Sequence, residues 1–304
     1  MEEKKPTKED TARVKGLGCL RDKRYDDVFN VRVITGYGKL DAAKMRALSD
    51  AAERFGTGEV ALTTRQTVEI QGVRYDRLDE LFKFLDENGL STGGTGAKVR
   101  PVVSCKGTTC VYGLVDTYSL AKKISEKFYF EMHGAALPHK FKIAVGGCPN
   151  NCVKPQLNDL GIVGTRRPAL DTEKCRGCKV CQVESACPVG AAVKIDDRIT
   201  IDRDKCLMCG RCTKSTPNSV GAKCPFGAVT PEITGYRVFI GGRWGKGYRI
   251  AKPLPVILTT EDEVIRVITK VIDVYKANGN KGERFADTVE RVGFDKISAE
   301  ILGK

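Results

Sequence analysis

Twelve of the thirteen cysteines in this 304-residue chain stand at spacings that can do chemistry. Cys105 and Cys110 form one pair, in SCKGTTCVYG, and Cys148 and Cys152 form another, in GGCPNNCVKP. A strand-like run, Phe141 to Val145, leads into the second pair, and two glycines and Pro149 surround its first thiol. Four thiolates delivered by two tight turns can hold one 4Fe–4S cluster. Glycine lets backbone approach the inorganic core, and unpaired turn N–H groups can hydrogen-bond its sulfurs.

The other eight fall in a shorter segment. Cys175, Cys178 and Cys181 form C-x2-C-x2-C, followed by Cys187-Pro188. Cys206, Cys209 and Cys212 repeat the pattern, followed by Cys224-Pro225. Between them AAVKIDDRITID reads as two strands and a turn. Two triplets, each with its cysteine–proline, are the pattern of a bacterial two-cluster ferredoxin, in which the fourth cysteine of each motif serves the other cluster. Cys175, Cys178, Cys181 and Cys224 are therefore assigned to one 4Fe–4S cluster, and Cys206, Cys209, Cys212 and Cys187 to a second. Thr216-Pro217 stands where a cysteine–proline is expected, so STPNSVGA is read as an insert that loops out, with one incomplete cluster as the alternative. A zinc reading is weaker, because structural zinc sites pair two C-x2-C units rather than packing triplets. The remaining thiol, Cys19, reads as a small buried residue.

The elements that must position these ligands follow from periodicity. Val28 to Ile34 alternates as a strand. Asp41 can cap a helix with Met45, Leu48, Ala52 and Phe55 on one face, ended by Gly56 and Gly58. EVALTT and TVEIQGV read as strands joined near Arg65 and Gln66. A second amphipathic helix carries Tyr75, Leu78, Leu81, Phe82 and Leu85 and stops at Gly89. This β-α-β-β-α order predicts an α+β layer with helices on one face of an antiparallel sheet. Further on, a helix is expected over Leu114 to Phe130, strands in LNDLGIVG and YRVFIGG, a composition shift at Asp171, and an amphipathic helix over Glu261 to Lys276. The loop STGGTGAK before Arg100 reads either as a linker or as a nest of N–H groups for a carboxylate.

The net charge is +13. No basic motif with interleaved aromatics accompanies it, so a nucleic-acid partner is not expected. The charge reads better as an offset to anionic cofactors. No apolar run is long enough for membrane insertion, and no export signal stands out, which places the cysteines in a cytoplasmic setting as metal ligands rather than disulfides. Neither a Walker A loop nor a strand–GxGxxG–helix unit occurs, so dinucleotide binding is not expected.

The paired cysteines, together with LPHKFK and LTTRQTVEIQGV, resemble the siroheme-containing sulfite and nitrite reductases. The resemblance is closest to the single-repeat catalytic subunits of anaerobic sulfite reductases, which carry an inserted ferredoxin domain, and it covers the chain from about residue 15 onward. One departure stands out: the family's first pair is usually separated by five residues, here by four. The resemblance implies a ferredoxin-like nitrite/sulfite reductase half-domain over 1–100, a siroheme and 4Fe–4S domain over 101–170 and 226–304, and an inserted two-cluster ferredoxin domain over 171–225. It implies that Cys152 bridges the Cys105, Cys110, Cys148 and Cys152 cluster to siroheme iron. It places Arg65, Arg100, Lys140 and Lys142 on the substrate face, where cations bind the oxygens of sulfite and lysines relay protons; His139 reads as an ordinary structural histidine. In RWGKGYR, Arg243, Lys246 and Arg249 read either as a basic hairpin or as a clamp on siroheme carboxylates. The implied activity is reduction of sulfite to sulfide, with electrons entering through the inserted clusters from a separate reductase protein or ferredoxin. A homo-oligomer is implied as well, because one repeat carries both the cluster cysteines and the substrate cations. Nitrite reduction to ammonia and a non-catalytic electron-transfer role stand as alternatives.

Overall fold

The computed structural model describes residues 5–132 and 134–304, so residues 1–4 and His133, which has no assigned role, lie outside it. The chain forms two units. The first comprises Met1–Val103, Ala121–Ile143 and Gly279–Arg284, and the second Ser104–Leu120, Ala144–Asn278 and Phe285–Lys304.

The first unit opens with α1 (Lys8–Gly16), whose Thr7 and Asp10 form a reciprocal capping box. Then come β1 (Cys19–Arg21), β2 (Val28–Ile34), α2 (Ala42–Phe55), β3 (Val60–Leu62), β4 (Val68–Arg74), α3 (Leu78–Glu87) and β5 (Ser91–Thr92). The strands form an antiparallel sheet in the order β1-β2-β4-β3, with β5 also on β2. Asp41 caps α2, its carboxylate accepting from the Lys44 N–H at 2.8 Å. The buried face of α2 is Ala47, Leu48, Ala51, Ala52 and Phe55; Met45, expected on it, is exposed. Three and seven residues separate Met45 from Leu48 and Ala52, so it satisfies the helical spacing. The smaller Ala47 and Ala51 sit against the sheet instead, where close packing favours small side chains. Leu78, Leu81 and Leu85 of α3 are buried in the same core, with Phe29, Val31 and Ile70 from the sheet and Cys19 beneath them. Cys19 is thus the small core residue expected of it, and burial pushes its thiol up to about 12. Truncating the fully buried Leu81 to alanine should cost about 2–5 kcal/mol and lower the thermal midpoint of unfolding.

The second unit is built on a five-stranded sheet, β14-β11-β8-β7-β6. In chain order its elements begin with β6 (Val103–Ser104) and the start of α4 (Thr117–Ile124); α4 runs on into a π-helical turn, Ser125–Glu131, which belongs to the first unit. Next are β7 (Ile143–Gly146), β8 (Leu160–Leu170), α5 (Gln182–Ala186), β9 (Ala192–Ile195), β10 (Arg198–Ile201), β11 (Val229–Ile240), β12 (Arg243–Trp244), β13 (Tyr248–Arg249), β14 (Lys252–Leu258), α6 (Glu261–Asn278), α7 (Phe285–Val292) and α8 (Phe294–Leu302). The helix expected from Leu114 begins only at Thr117. Leu114 uses its N–H on the Gly147 carbonyl at 2.9 Å, and Asp116 caps the start by accepting from the Ser119 N–H at 2.9 Å.

β8 and β11 pair antiparallel along nearly their whole length, from Leu160↔Ile240 to Leu170↔Val229. Residues 171–228 leave and re-enter at one end of this ribbon, where the Asp171 N–H bonds the Ala228 carbonyl at 2.8 Å. An insertion whose ends meet on one strand pair leaves the ladder uninterrupted, which is why the larger sheet tolerates it. Inside it, β9 and β10 form a hairpin over Asp196 and Asp197, both left-handed at φ 50° and 60°, as a two-residue hairpin turn of matching twist requires.

Candidate functional site

In the first unit two extended segments lie side by side, joined by a parallel bridge between Val99 and Phe141. The Phe141 N–H bonds the Lys98 carbonyl at 3.0 Å, and the Arg100 N–H bonds the Phe141 carbonyl at 2.8 Å. Val99 and Phe141 are both buried. Alternation along extended backbone then places Lys98 and Arg100, and Lys140 and Lys142, on the opposite side. All four are half-buried. Arg65 ties the two segments together. Its Nε donates to the Pro101 carbonyl at 3.0 Å, and Nη2 to the Ile143 carbonyl at 3.1 Å. Pro101 follows Arg100 and Ile143 follows Lys142, so Arg65 is bonded to the two adjacent segments that carry Arg100, Lys140 and Lys142.

The turn that carries Arg65 is itself braced. Gln66 takes a left-handed φ of 58°, and the Thr63 and Thr67 hydroxyls bond at 2.7 Å. Arg100 donates from Nη1 to the Gly94 carbonyl, and its buried Nε has no hydrogen-bond partner. Burial, then the nearby positive charge of Arg32, pulls this guanidinium down to about 10. Arg32 also donates to Gly94 O, at 3.1 Å, and pairs with Glu69 at 2.6 Å. The glycine loop therefore turns the Gly94 carbonyl toward two arginines, while its Gly94 N–H donates to the Tyr129 hydroxyl at 3.0 Å. Sequence reading missed Lys98 and the buried Arg284, which adds repulsive positive charge at Arg100. The i, i+2 spacing of Lys98 and Arg100 was the available signal for the first.

In the second unit Cys105 and Cys110 sit at the two ends of a 3₁₀ turn, Gly107–Thr109. A single such turn accounts for their four-residue separation. The loop is laced to the start of α4. Thr117 Oγ1 donates to the Cys105 carbonyl at 2.7 Å, and Thr108 Oγ1 to Asp116 at 2.7 Å. Cys148 lies just past β7, and Gly147 donates its N–H to Cys105 Sγ at 3.1 Å. A Cβ on Gly147 would lie 2.8 Å from the Gly107 Cα, so the two cysteine loops touch through glycine backbone. Burial raises the Cys148 thiol, and the charges of Cys105, Cys110 and Cys152 raise it further. Cys148 therefore lies close to the other three thiols, and a backbone donor serves Cys105, as a cluster site needs. Cys152 is exposed, whereas the other three are half-buried.

The triplets share one local design. Asp171 accepts from the Glu173 and Lys174 N–H groups, and Asp202 from those of Asp204 and Lys205. Gly177 and Met208 hold the same left-handed place, at φ 64° and 55°. Cys212 is pushed up to about 12, first by burial and then by Cys206, Cys209 and Cys187. Cys187 thus lies near the second triplet, and Cys187, Cys206, Cys209 and Cys212 line one small pocket. Cys187 Sγ also accepts from the Ala191 N–H at 3.2 Å. Cys175, Cys181, Cys187, Cys212 and Cys224 all pack against the insert's small core, and the Ile199 N–H reaches Cys175 Sγ at 3.4 Å. Among the described residues no three His, Cys, Asp or Glu converge closely enough for a single metal ion; a cluster asks for a wider spread, since each thiolate binds a different iron.

The second triplet faces the sheet. The Arg166 N–H of β8 bonds the Met208 carbonyl at 2.7 Å, and a Cβ on Gly210 would meet Leu114 at 3.0 Å. The insert read as looping out docks here too: the Val220 N–H bonds the carbonyl of Val111, next to Cys110, at 3.1 Å. A cavity of about 350 Å³ opens between Asn151, in the Cys148–Cys152 turn, and Met208. Arg237 lines it half-buried, and desolvation lowers its guanidinium with no charged partner contributing. No local motif marks Arg237, which lies within an ordinary strand.

RWGKGYR does form a hairpin, with Arg243 opposite Arg249. Arg243 pairs with Asp287 at 2.8 Å, and Arg249 with Asp287 at 3.3 Å and with Glu290. These contacts fasten the hairpin to α7 and meet the charge of both arginines within the protein, while Lys246 is exposed at the tip. His139 is half-buried beside Lys140. Among the described residues no helix is long and apolar enough to cross a membrane.

Residues 21–88 match the family described as "Nitrite/Sulfite reductase ferredoxin-like half domain", and residues 95–304 match "Nitrite and sulphite reductase 4Fe-4S domain". The chain is 33% identical over 299 residues to the coenzyme F420-dependent sulfite reductase of Methanocaldococcus jannaschii, an alignment that covers 96% of this chain and 44% of that enzyme. It is 30% identical over 185 residues to one of the subunits of the anaerobic sulfite reductase of Salmonella typhimurium, covering 56% of this chain and 52% of the relative. The chain thus spans about half the length of these two relatives. The crystal structure of dissimilatory sulfite reductase I shares its fold, with a TM-score of 0.71 at 22% identity over 92% of this chain and 70% of the other.

Proposed function

The chain belongs to the nitrite and sulfite reductase family, and on that footing we propose that it is a catalytic subunit that reduces sulfite to sulfide. Siroheme bound beside Cys152 would supply the iron that takes sulfite through sulfur, and three 4Fe–4S clusters, two of them in the insert where electrons enter, would relay the electrons. Sulfite takes six electrons and seven protons to give hydrosulfide and three waters.

The observation that carries this reading is the exposure of Cys152. Of the thirteen cysteines it alone is exposed, and the other eleven candidate ligands are half-buried. A thiolate serving one cluster needs no open side, whereas one that also meets a second cofactor does. The chain's own residues then supply charge and protons. Arg100 offers an unpartnered Nε in a partly buried place, where its charge is screened less than in water. Lys140 and Lys142 are the proton donors, and Arg65 holds their segment in register with that of Arg100. For siroheme carboxylates, Arg237 is a better candidate than Arg243 or Arg249, whose charges are met by α7, and Lys246 stands exposed beside them. A separate electron donor and further copies of this chain complete the proposed assembly, in the cytoplasm.

The test is turnover with reduced methyl viologen on anaerobic holoprotein, with sulfide measured as product. A higher kcat/KM for sulfite than for nitrite supports the reading. Fully loaded protein that reduces neither anion favours an electron-transfer role instead. Within the insert, Cys187→Ser should remove the iron of one cluster, about four atoms. Adding Cys212→Ser should remove no more, while adding Cys181→Ser should remove a second cluster's worth. The reverse pattern in iron and acid-labile sulfide would reject the ligand exchange between motifs.

A further inference from the structure

The two triplets provide an internal comparison. They share the aspartate cap, the left-handed third position and the spacing, yet the residue just before the last cysteine differs. In the first triplet it is Val180, which is 73% accessible. In the second it is Arg211, half-buried, whose Nε is buried and has no hydrogen-bond partner. Arg211 lines the small pocket that Cys187, Cys206, Cys209 and Cys212 share, and a second one beside Val111 and Tyr112, just past Cys110. No Asp or Glu lines either pocket, and no acid pairs with this guanidinium among the described residues. Arg166 lines both pockets too, but it spends donors on Thr234 Oγ1 at 2.8 Å and the Thr213 carbonyl at 3.2 Å. The end of STPNSVGA holds the Arg211 backbone in place. The Ala222 N–H bonds the Arg211 carbonyl at 2.8 Å, and Gly221, at φ 133°, lies so near that a Cβ on it would be 2.2 Å from the same oxygen. Burial raises the Cys209 thiol, and the Arg211 backbone N–H and charge work against that rise.

We propose that Arg211 sets the reduction potential of the centre on Cys187, Cys206, Cys209 and Cys212, its half-buried, unpaired charge making that centre easier to reduce. The proposal rests on the reading of the insert as a two-cluster relay. Reducing this centre by one electron adds negative charge where burial disfavours charge. A cation that no acid neutralises offsets that cost, and net charge beside a cluster is one of the levers on its potential. Screening by water and salt is weaker in a partly buried place, so Arg211 counts for more than the exposed Arg176 and Lys179 of the first triplet. The insert at STPNSVGA then has a use, since Gly221 and Ala222 fix the backbone from which Arg211 reaches the pocket. In the transfer one electron leaves the centre on Cys175, Cys178, Cys181 and Cys224, which is oxidised by one equivalent, and the second centre is reduced by one. No bond forms or breaks and no proton moves.

The experiment is a redox titration of the anaerobic holoprotein, followed by low-temperature EPR with sulfite omitted. The readout is therefore independent of sulfite turnover, and the signal that Cys187→Ser removes identifies the centre. Arg211→Gln should lower its midpoint by ~59 mV or more, a tenfold change in the one-electron equilibrium, with iron content and the other midpoints unchanged. Arg211→Lys, which keeps the charge, should restore most of the shift. A loaded Gln variant with the parent's midpoint would overturn the proposal, and so would a Lys variant that falls as far as the Gln variant. Ser215→Asp covers a Gln variant that loses iron. Ser215 is exposed on the pocket that Arg211 shares with Val111, and an acid there should lower the same midpoint at low salt, by about threefold in the equilibrium. A loaded Ser215→Asp protein with the parent's midpoint would overturn the proposal as well. Protein from which Cys187→Ser removes no iron would overturn the relay reading and the proposal together, whereas an unshifted midpoint in loaded protein overturns the proposal alone.

Discussion

Replacing Lys140 and Lys142 together with alanine is expected to lower sulfite turnover by about two to four orders of magnitude, the usual contribution of positioned proton donors, while leaving the cofactor spectrum intact. The fold gives a reason to expect the two effects to separate. Phe141, between the lysines, is fully buried, and its N–H and carbonyl are both held by the Lys98–Arg100 segment. The anchoring thus belongs to backbone and to Phe141, and the lysine heads add charge on the opposite side. A companion variant, Lys140→Arg with Lys142→Arg, keeps the charge and loses the titratable donor. It should recover sulfite KM and leave kcat low. Normal turnover in the alanine pair would remove both lysines from the chemistry.

Cys152→Ser is expected to abolish turnover and to take about four irons with it, leaving the insert's clusters in place. Gly147 N–H and the lacing of the Cys105 loop to α4 would survive, because neither involves Cys152. The protein should therefore stay folded and still accept electrons into the insert. Iron and sulfide analysis with low-temperature EPR would check this, and a variant that retains full turnover would deny Cys152 the linking role.

What the sequence made legible, and what it hid, follows the range of each signal. Cysteine spacing is local, and the two loops of the first four cysteines touch as that spacing suggested, while Cys187 shares a pocket with Cys206, Cys209 and Cys212. Capping is local too, and Asp41 and the strand Val28–Ile34 stand as expected. The burial of Met45 was misjudged because helical spacing cannot say which of two overlapping faces meets the sheet. The partners of Arg243 and Arg249 lie on α7, some forty residues away in sequence, and no pattern in RWGKGYR announces them. Likewise the insert at STPNSVGA reads as surplus chain, yet Val220 ends on the carbonyl of Val111. Arg65 shows both sides at once. Its place in TTRQT marked it as a cation of interest, but its use as a tie between the Arg100 and Lys142 segments emerges only when residues far apart in sequence meet.

The most direct measurement is the optical spectrum of anaerobically purified holoprotein, reduced, before and after sulfite. A siroheme Soret band and a red charge-transfer band that both shift when sulfite is added are the predicted result. A featureless iron–sulfur shoulder that ignores sulfite, from protein expressed with siroheme supplied, would contradict the account.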